Sequence, residues 1–134
     1  MARRSPKAVM NPTFAAEELV HSTGSPIPMI SQATAVATAA KAGLRVRSVE
    51  YNLGSVAGAA LHADGYAGRA GLLINEETNT VVGFTAVGPD VAELTHAATI
   101  AIAGEVPLDR LWHAVPAYPT ISEVWLRLLE TAAR

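Results

Sequence analysis

Among the acidic and histidine side chains of this 134-residue sequence, two pairs and a single carboxylate are the candidates for acid–base or metal chemistry. Glu93 and His96 stand on one face of a predicted helix, at a spacing that two metal ligands can use. His62 and Asp64 flank a predicted turn, where polar side chains are typically solvated. Glu123 lies near the start of the last predicted helix, where the helix dipole favours an acidic side chain. Because no third ligand is evident, we interpret the first pair as a surface or interface hydrogen-bonding pair and predict no metal site.

Redox and cofactor chemistry lacks its usual residues here. Cysteine is absent, which excludes disulfides, thiolate nucleophiles and cysteine-ligated metals within the chain. No Gly-x-Gly-x-x-Gly motif follows a predicted strand, and no βαβ unit of the length needed for nucleotide binding is present. We therefore expect this chain alone to bind neither FAD nor a nicotinamide.

Charge and hydropathy argue against two classes of partner. A formal net charge of −2 provides no broad basic surface for a nucleic acid. No segment approaches the roughly 18 apolar residues that a membrane span needs. The basic N-terminal residues run into Ser5 and Pro6 instead of an apolar signal segment. We expect a cytoplasmic protein without nucleic-acid or membrane partners.

Composition also bears on the oligomeric state. Hydrophobic residues make up 50% of the sequence but aromatic residues only 5%, so the core must be built largely from Ala, Val, Leu and Ile. Such side chains bury little area each, which makes a lone monomer less stable and a dimer more favourable.

The pattern along the chain predicts an N-terminal arm, residues 1–28, and one domain, residues 29–134. The arm contains a short predicted helix over residues 14–21 and ends in turn-forming residues. The domain begins with a helix that Gly43 terminates. Branched, alternating segments then predict strands over residues 44–53, 66–75 and 80–87, the last two joined as an antiparallel hairpin.

A helix is predicted to follow the last strand, because Pro89 suits a helix N-terminus. The residues of this helix that are predicted to be buried include Val91, Leu94, Ala98 and Ile102. Leu94 and Ala98, with Ala97 and Ala101 beside them, also form a surface of small side chains that another helix can approach closely. Two prolines then force an extended path before a final amphipathic helix. Trp112 and Trp125 bracket this path, and we interpret both as core or interface residues.

This order of elements, with a set of residues within it, resembles a known family. The similarity is to the C-terminal dimerisation domain of the pyridine nucleotide-disulfide oxidoreductases, the flavoprotein family of glutathione reductase, dihydrolipoamide dehydrogenase and mercuric reductase. The residues that carry the resemblance are Gly83, Val87, Gly88, Pro89, Ala92, Glu93, Leu94, Pro119, Thr120, Ser122 and Glu123.

The resemblance implies an α+β fold, with an antiparallel sheet flanked by helices, that forms a two-fold interface. It also implies that the intact family enzymes use FAD and NAD(P) bound by other domains. The interface residues expected here are Glu93, Leu94, Ala97, Ala98, Pro119, Thr120 and Trp125.

The sequence departs from the family at two places. Disulfide-reducing members carry a histidine before the Pro-Thr pair and a glutamate a few residues later; here Tyr118 replaces the histidine, whereas Glu123 matches the glutamate. A tyrosine, with an unperturbed pKa near 10, is a poor proton shuttle at neutral pH. Tyr118 and Glu123 are therefore expected to be remnants of a catalytic site. The family's first strand motif is also absent from residues 26–43, so that strand is missing, displaced or replaced by the N-terminal arm.

Three functional hypotheses follow. The first is a stand-alone dimerisation domain, not active alone, that forms a homodimer. The alternative is a subunit that docks on a separate flavoprotein and contributes Glu123, Tyr118 and Pro119 to that protein's active site in trans. The third is a small binding module that uses a groove between helix and sheet.

Overall fold

The computed structural model describes residues 16–19 and 32–134. Two short 3-10 turns, Leu53–Ser55 and Ile121–Glu123, supplement the regular elements. In chain order the strands and α-helices are β1 (Ala16–Leu19), α1 (Gln32–Lys41), β2 (Val46–Asn52), α2 (Ala57–His62), β3 (Arg69–Asn75), β4 (Thr80–Val87), α3 (Ala92–Ala103), α4 (Leu108–Leu111) and α5 (Val124–Ala132).

The strands form one sheet in the order β1-β4-β3-β2. The pairs β2/β3 and β3/β4 are antiparallel, as the branched segments and the polar hairpin predicted. Helices flank this sheet, so the predicted α+β architecture is confirmed.

Residues 16–19 form a strand where the sequence favoured a short helix. This strand, β1, pairs in parallel with β4, from Ala16 opposite Phe84 to Leu19 opposite Val87. Pairing satisfies backbone groups along an otherwise open edge of β4, whereas an isolated helix of this length is too short to be stable. An element of the N-terminal arm thus extends the sheet. The rest of the arm, including the boundary predicted after residue 28, lies outside the described residues.

The main core lies between one face of the sheet and helices α3 and α5. Alternation along the strands places Leu72 opposite both Val49 and Phe84 on this face. Leu94 of α3 and Leu128 of α5 cover it, each with almost no exposed surface. Helix α1 packs against β2 and β3.

Helix α3 begins at Ala92, later than the predicted start at Pro89. Asp90 adopts a φ of 56°, which lies in the left-handed region and is incompatible with a right-handed helix. The end of α1 follows the prediction, since Gly43 adopts a φ of 77° directly after the helix. No helix in the described ranges is both long and apolar enough to cross a membrane.

Candidate functional site

Between α4 and α5 the chain exposes an apolar stretch, residues 112–119, which we call the linker segment. Trp112 exposes 47% of its surface, Tyr118 75% and Val115 86%. The segment contains no acidic, lysine or arginine side chain. Its large apolar side chains therefore face solvent in the single chain.

Backbone hydrogen bonds fix the start of the linker segment to α4. The N–H groups of Trp112, His113 and Ala114 donate to carbonyl oxygens of α4, at 3.0, 3.1 and 2.9 Å. At the other end, the Tyr118–Pro119 peptide bond is cis. The Thr120 hydroxyl donates to the carbonyl oxygen of Ala117 at 2.6 Å. The segment therefore emerges from α4 and ends in a closed corner before α5.

Glu123 is buried at this corner, and both of its carboxylate oxygens are engaged. Oε2 accepts a hydrogen bond from the Ala57 N–H of α2 at 3.1 Å. Oε1 accepts from Nε and Nη2 of Arg127, at 3.1 and 2.8 Å. The carboxylate therefore joins the corner to α2 and α5.

Arg127 completes this network on the surface of α5. Its Nη1 donates to Glu130 Oε2 at 3.0 Å. Hydrogen bonds to Glu130 and then to Glu123 raise the pKa of Arg127 above its ordinary value. The guanidinium therefore stays charged and continues to face the Glu123 carboxylate across the pH range in which proteins fold.

Tyr118 and Glu123, the expected catalytic remnants, have different environments. The Tyr118 side chain is largely exposed, whereas Glu123 is buried. Among the described residues, the Glu123 carboxylate accepts hydrogen bonds from Ala57 and Arg127. In this chain the carboxylate is thus hydrogen-bonded to the Ala57 backbone N–H and to the Arg127 guanidinium.

The expected interface residues divide into exposed and buried ones. Glu93 and Ala97 are exposed on α3, and Pro119 is exposed at the corner. Leu94 and Ala98, however, retain 2% and 0% of their surface, because they face the sheet. The small-residue surface predicted from the sequence is therefore largely covered by the chain's own core. The outward face of α3 instead presents Ile100.

The two tryptophans also differ in their surroundings. Trp125 stacks on Phe84 with ring centroids 5.1 Å apart and an interplanar angle of 13°, so it packs against the core as predicted. Trp112 instead lies at a groove of about 330 Å³ between α4 and the end of α5. The other residues that line this groove are Arg47, Asn79, Leu108, Asp109, Leu129, Ala132 and Ala133.

His62 pairs with a residue that the sequence did not suggest. Its Nε2 lies 3.0 Å from Asp90 Oδ2, and the Tyr66 ring contacts it edge-on with centroids 5.2 Å apart. The Tyr66 hydroxyl donates to the Pro89 carbonyl oxygen at 2.7 Å. This cluster ties α2 to the turn before α3. No local signal marks it, because the turn lies far along the chain from His62.

Partial burial, followed by the negative charge of Asp90, raises the pKa of Tyr66. A raised folded-state pKa means that the unfolded chain loses the Tyr66 proton first, so stability falls as pH rises above the ordinary value of about 10. We expect Tyr66→Phe to be less stable than the wild type at neutral pH, through loss of the hydrogen bond to Pro89. The difference should shrink as the pH rises above about 10, where the tyrosine of the unfolded chain ionises first and that of the folded chain ionises at higher pH. Urea unfolding of both proteins across this range measures it, and a constant difference would contradict the prediction.

Glu93 and His96 both lie exposed on α3. Among the side chains that the structure describes, no three His, Asp or Glu are grouped closely enough to hold a metal ion. Both side chains therefore lie on the outward face of α3.

The fold and its turns define a dimerisation domain of the reductase type. The features that do so are the sheet flanked by helices, the Gly-Pro turn before α3 and the Pro-Thr corner before α5. Residues 32–129 match the family described as pyridine nucleotide-disulphide oxidoreductase, dimerisation domain, and the chain belongs to this family. Members of the family use FAD and NAD(P).

Curated relatives resemble part of this chain. Dihydrolipoyl dehydrogenase of Chlamydia trachomatis is 32% identical over 63 residues, which cover 47% of this chain and 13% of the relative. The Bacillus subtilis enzyme of the same name is 36% identical over 56 residues, or 42% of this chain and 12% of the relative. The matches thus span only about an eighth of the relatives' length.

A solved structure shows the same fold. It is the NAD-dependent persulfide reductase from A. fulgidus, which superposes with a TM-score of 0.57 at 18% sequence identity. The superposition covers 72% of this chain and 19% of the reductase chain. At this identity the likeness concerns the fold alone.

Proposed function

We propose that this chain is a non-catalytic dimerisation module that forms a homodimer through the linker segment and the Pro119–Thr120 corner. The observation that carries the proposal is the exposure of Trp112, Val115 and Tyr118 within a segment that belongs to a dimerisation domain. Aromatic side chains are enriched at the energetic centres of protein interfaces. Clustered apolar surface of this kind is stabilised when a partner removes it from water.

The state of the corner supports the non-catalytic part of the proposal. Tyr118 stands where disulfide-reducing members of the family carry an acid–base histidine, and the Glu123 carboxylate is occupied by Ala57 and Arg127. The sequence also lacks cysteine. We therefore expect the chain to hold no FAD or NAD(P) by itself and to act in the cytoplasm as an association module.

A second candidate is the subunit that docks on a separate flavoprotein. The exposure of Tyr118 and Pro119 favours it, because both are accessible to a partner of a different kind. In that case Tyr118, Pro119 and Glu123 would complete the partner's site. Co-purification of a yellow, flavin-bearing protein from the native host would favour this candidate over the homodimer.

The absorbance spectrum and the mass in solution of the purified protein test the proposal together. We expect a colourless protein whose mass by light scattering approaches twice that of one chain at micromolar concentrations, the range in which interfaces of moderate affinity are occupied. A strict monomer would contradict the homodimer. Flavin absorbance bands would contradict the expected absence of a bound cofactor.

A further inference from the structure

The corner that ends the linker segment rests on α2 through a very close backbone contact. A Cβ atom placed on Gly58 would lie 2.2 Å from the carbonyl carbon of Thr120, so only glycine allows this approach. Helix α2 is itself fixed to the core, because Val56 at its N-cap and Ala59 within it are almost fully buried. The position of the corner is therefore set by the body of the domain.

Glu123 reinforces the same contact. Its Oε2 accepts the hydrogen bond from Ala57 N–H, on the residue that precedes Gly58. Arg127 donates hydrogen bonds to the other oxygen, Oε1, from two nitrogens. A buried carboxylate between two donors keeps a defined orientation, because any rotation would leave a donor or the charge unpaired.

The linker segment depends on this corner for its second attachment. Its first attachment is the set of backbone hydrogen bonds to α4. Val115, between the two ends, is 86% exposed and therefore contributes little packing against its own chain. Releasing the corner would leave the segment attached at one end and increase the conformational entropy that a partner must remove.

We propose that Glu123 and Gly58 are positioning residues that hold the linker segment in the conformation that binds a second copy of the chain. This inference rests on the proposed homodimer and adds to it a role for the buried carboxylate. Glu123 then acts in association by orienting the segment, and Gly58 by permitting the approach of Thr120.

The test compares dimer dissociation constants by sedimentation for four folded variants. Glu123→Met removes both hydrogen-bonded links, and Gly58→Ala forces Thr120 away. Arg127→Lys keeps the cation and the Ala57 bond but loses one of the two nitrogens that donate to Oε1, so its effect should be smaller than that of Glu123→Met. Gly43→Ala is a matched glycine control: nothing lies within 4 Å of its added Cβ, and its positive φ lowers stability without touching the corner.

We expect Glu123→Met and Gly58→Ala each to weaken dimerisation at least about tenfold, the effect of having to order several residues on binding. Gly43→Ala, which lies away from the corner, should stay within about threefold of the wild type. Amide exchange in a monomeric Val115→Asp/Tyr118→Asp background supplies a readout that does not depend on the dimer. There, Glu123→Met should accelerate exchange in residues 112–121 and leave β3 protected.

The outcomes separate the two proposals. A wild-type chain that is monomeric overturns the homodimer. A dimer whose dissociation constant is unchanged by both Glu123→Met and Gly58→Ala overturns the positioning role alone. Faster exchange in β3 as well as in residues 112–121 also overturns it, because the substitution would then have weakened the whole fold.

Discussion

The double substitution Val115→Asp/Tyr118→Asp is expected to convert the proposed homodimer to a monomer. Both side chains are exposed, at 86% and 75%, so aspartate at these positions should leave the folded monomer intact. In the dimer the same substitutions remove apolar contacts and place two unpaired charges in a desolvated interface. We expect the dissociation constant to rise at least about a hundredfold.

Sedimentation velocity over a dilution series measures this effect. Ala40→Asp on the exposed side of α1 introduces one negative charge away from the linker segment and should leave the dimer unchanged. Circular dichroism and thermal unfolding establish that both variants are folded. A double variant that remains dimeric would place the interface elsewhere, for example on the outward face of α3 around Ile100.

Leu72→Ala is expected to cause a large loss of stability. Leu72 has no exposed surface and lies at the centre of the sheet, between Val49 of β2 and Phe84 of β4. Truncation of a fully buried leucine removes apolar contacts and leaves a cavity, which together cost about 2–5 kcal/mol. Because the free energy of unfolding of a domain of this size is only about 5–15 kcal/mol, this loss is a large fraction of it.

Urea unfolding of the wild type and the variant measures the loss. Leu61→Ala is a matched control, because Leu61 is 72% exposed on α2 and its truncation should change stability by less than about 0.5 kcal/mol. The comparison must be made at one protein concentration, since dimer formation also adds to apparent stability. Equal losses for the two leucines would contradict the assignment of the core.

Much of the fold could be predicted because its elements carry local signals. The two strands around the polar hairpin alternate and contain branched residues, and the structure pairs them at β3 and β4. Gly43 closes α1 as predicted. The residues of the Gly-Pro turn and the Pro-Thr corner were sufficient to indicate the family, which the match over residues 32–129 confirms.

Other features could not be predicted, because they depend on residues distant in the sequence. Strand β1 forms against β4, although its own four residues do not specify a strand. Leu94 and Ala98 were predicted to be buried, as they are, but the helix pattern alone did not distinguish burial by the chain's own sheet from contact with a second helix. His62 was considered with its near neighbour Asp64, whereas the folded chain brings it to Asp90.

The buried carboxylate shows this division most clearly. The sequence by itself determined that Glu123 stands near the start of α5, that Tyr118 precedes Pro119, and that no cysteine is available for redox chemistry. Only the tertiary structure decided what Glu123 contacts, because Ala57 and Gly58 approach the corner from a helix more than 60 residues earlier in the chain. Helix periodicity and capping are local properties of the chain. The partners of a buried charge are fixed by how the elements pack, since each of its oxygens must find a donor once water is excluded.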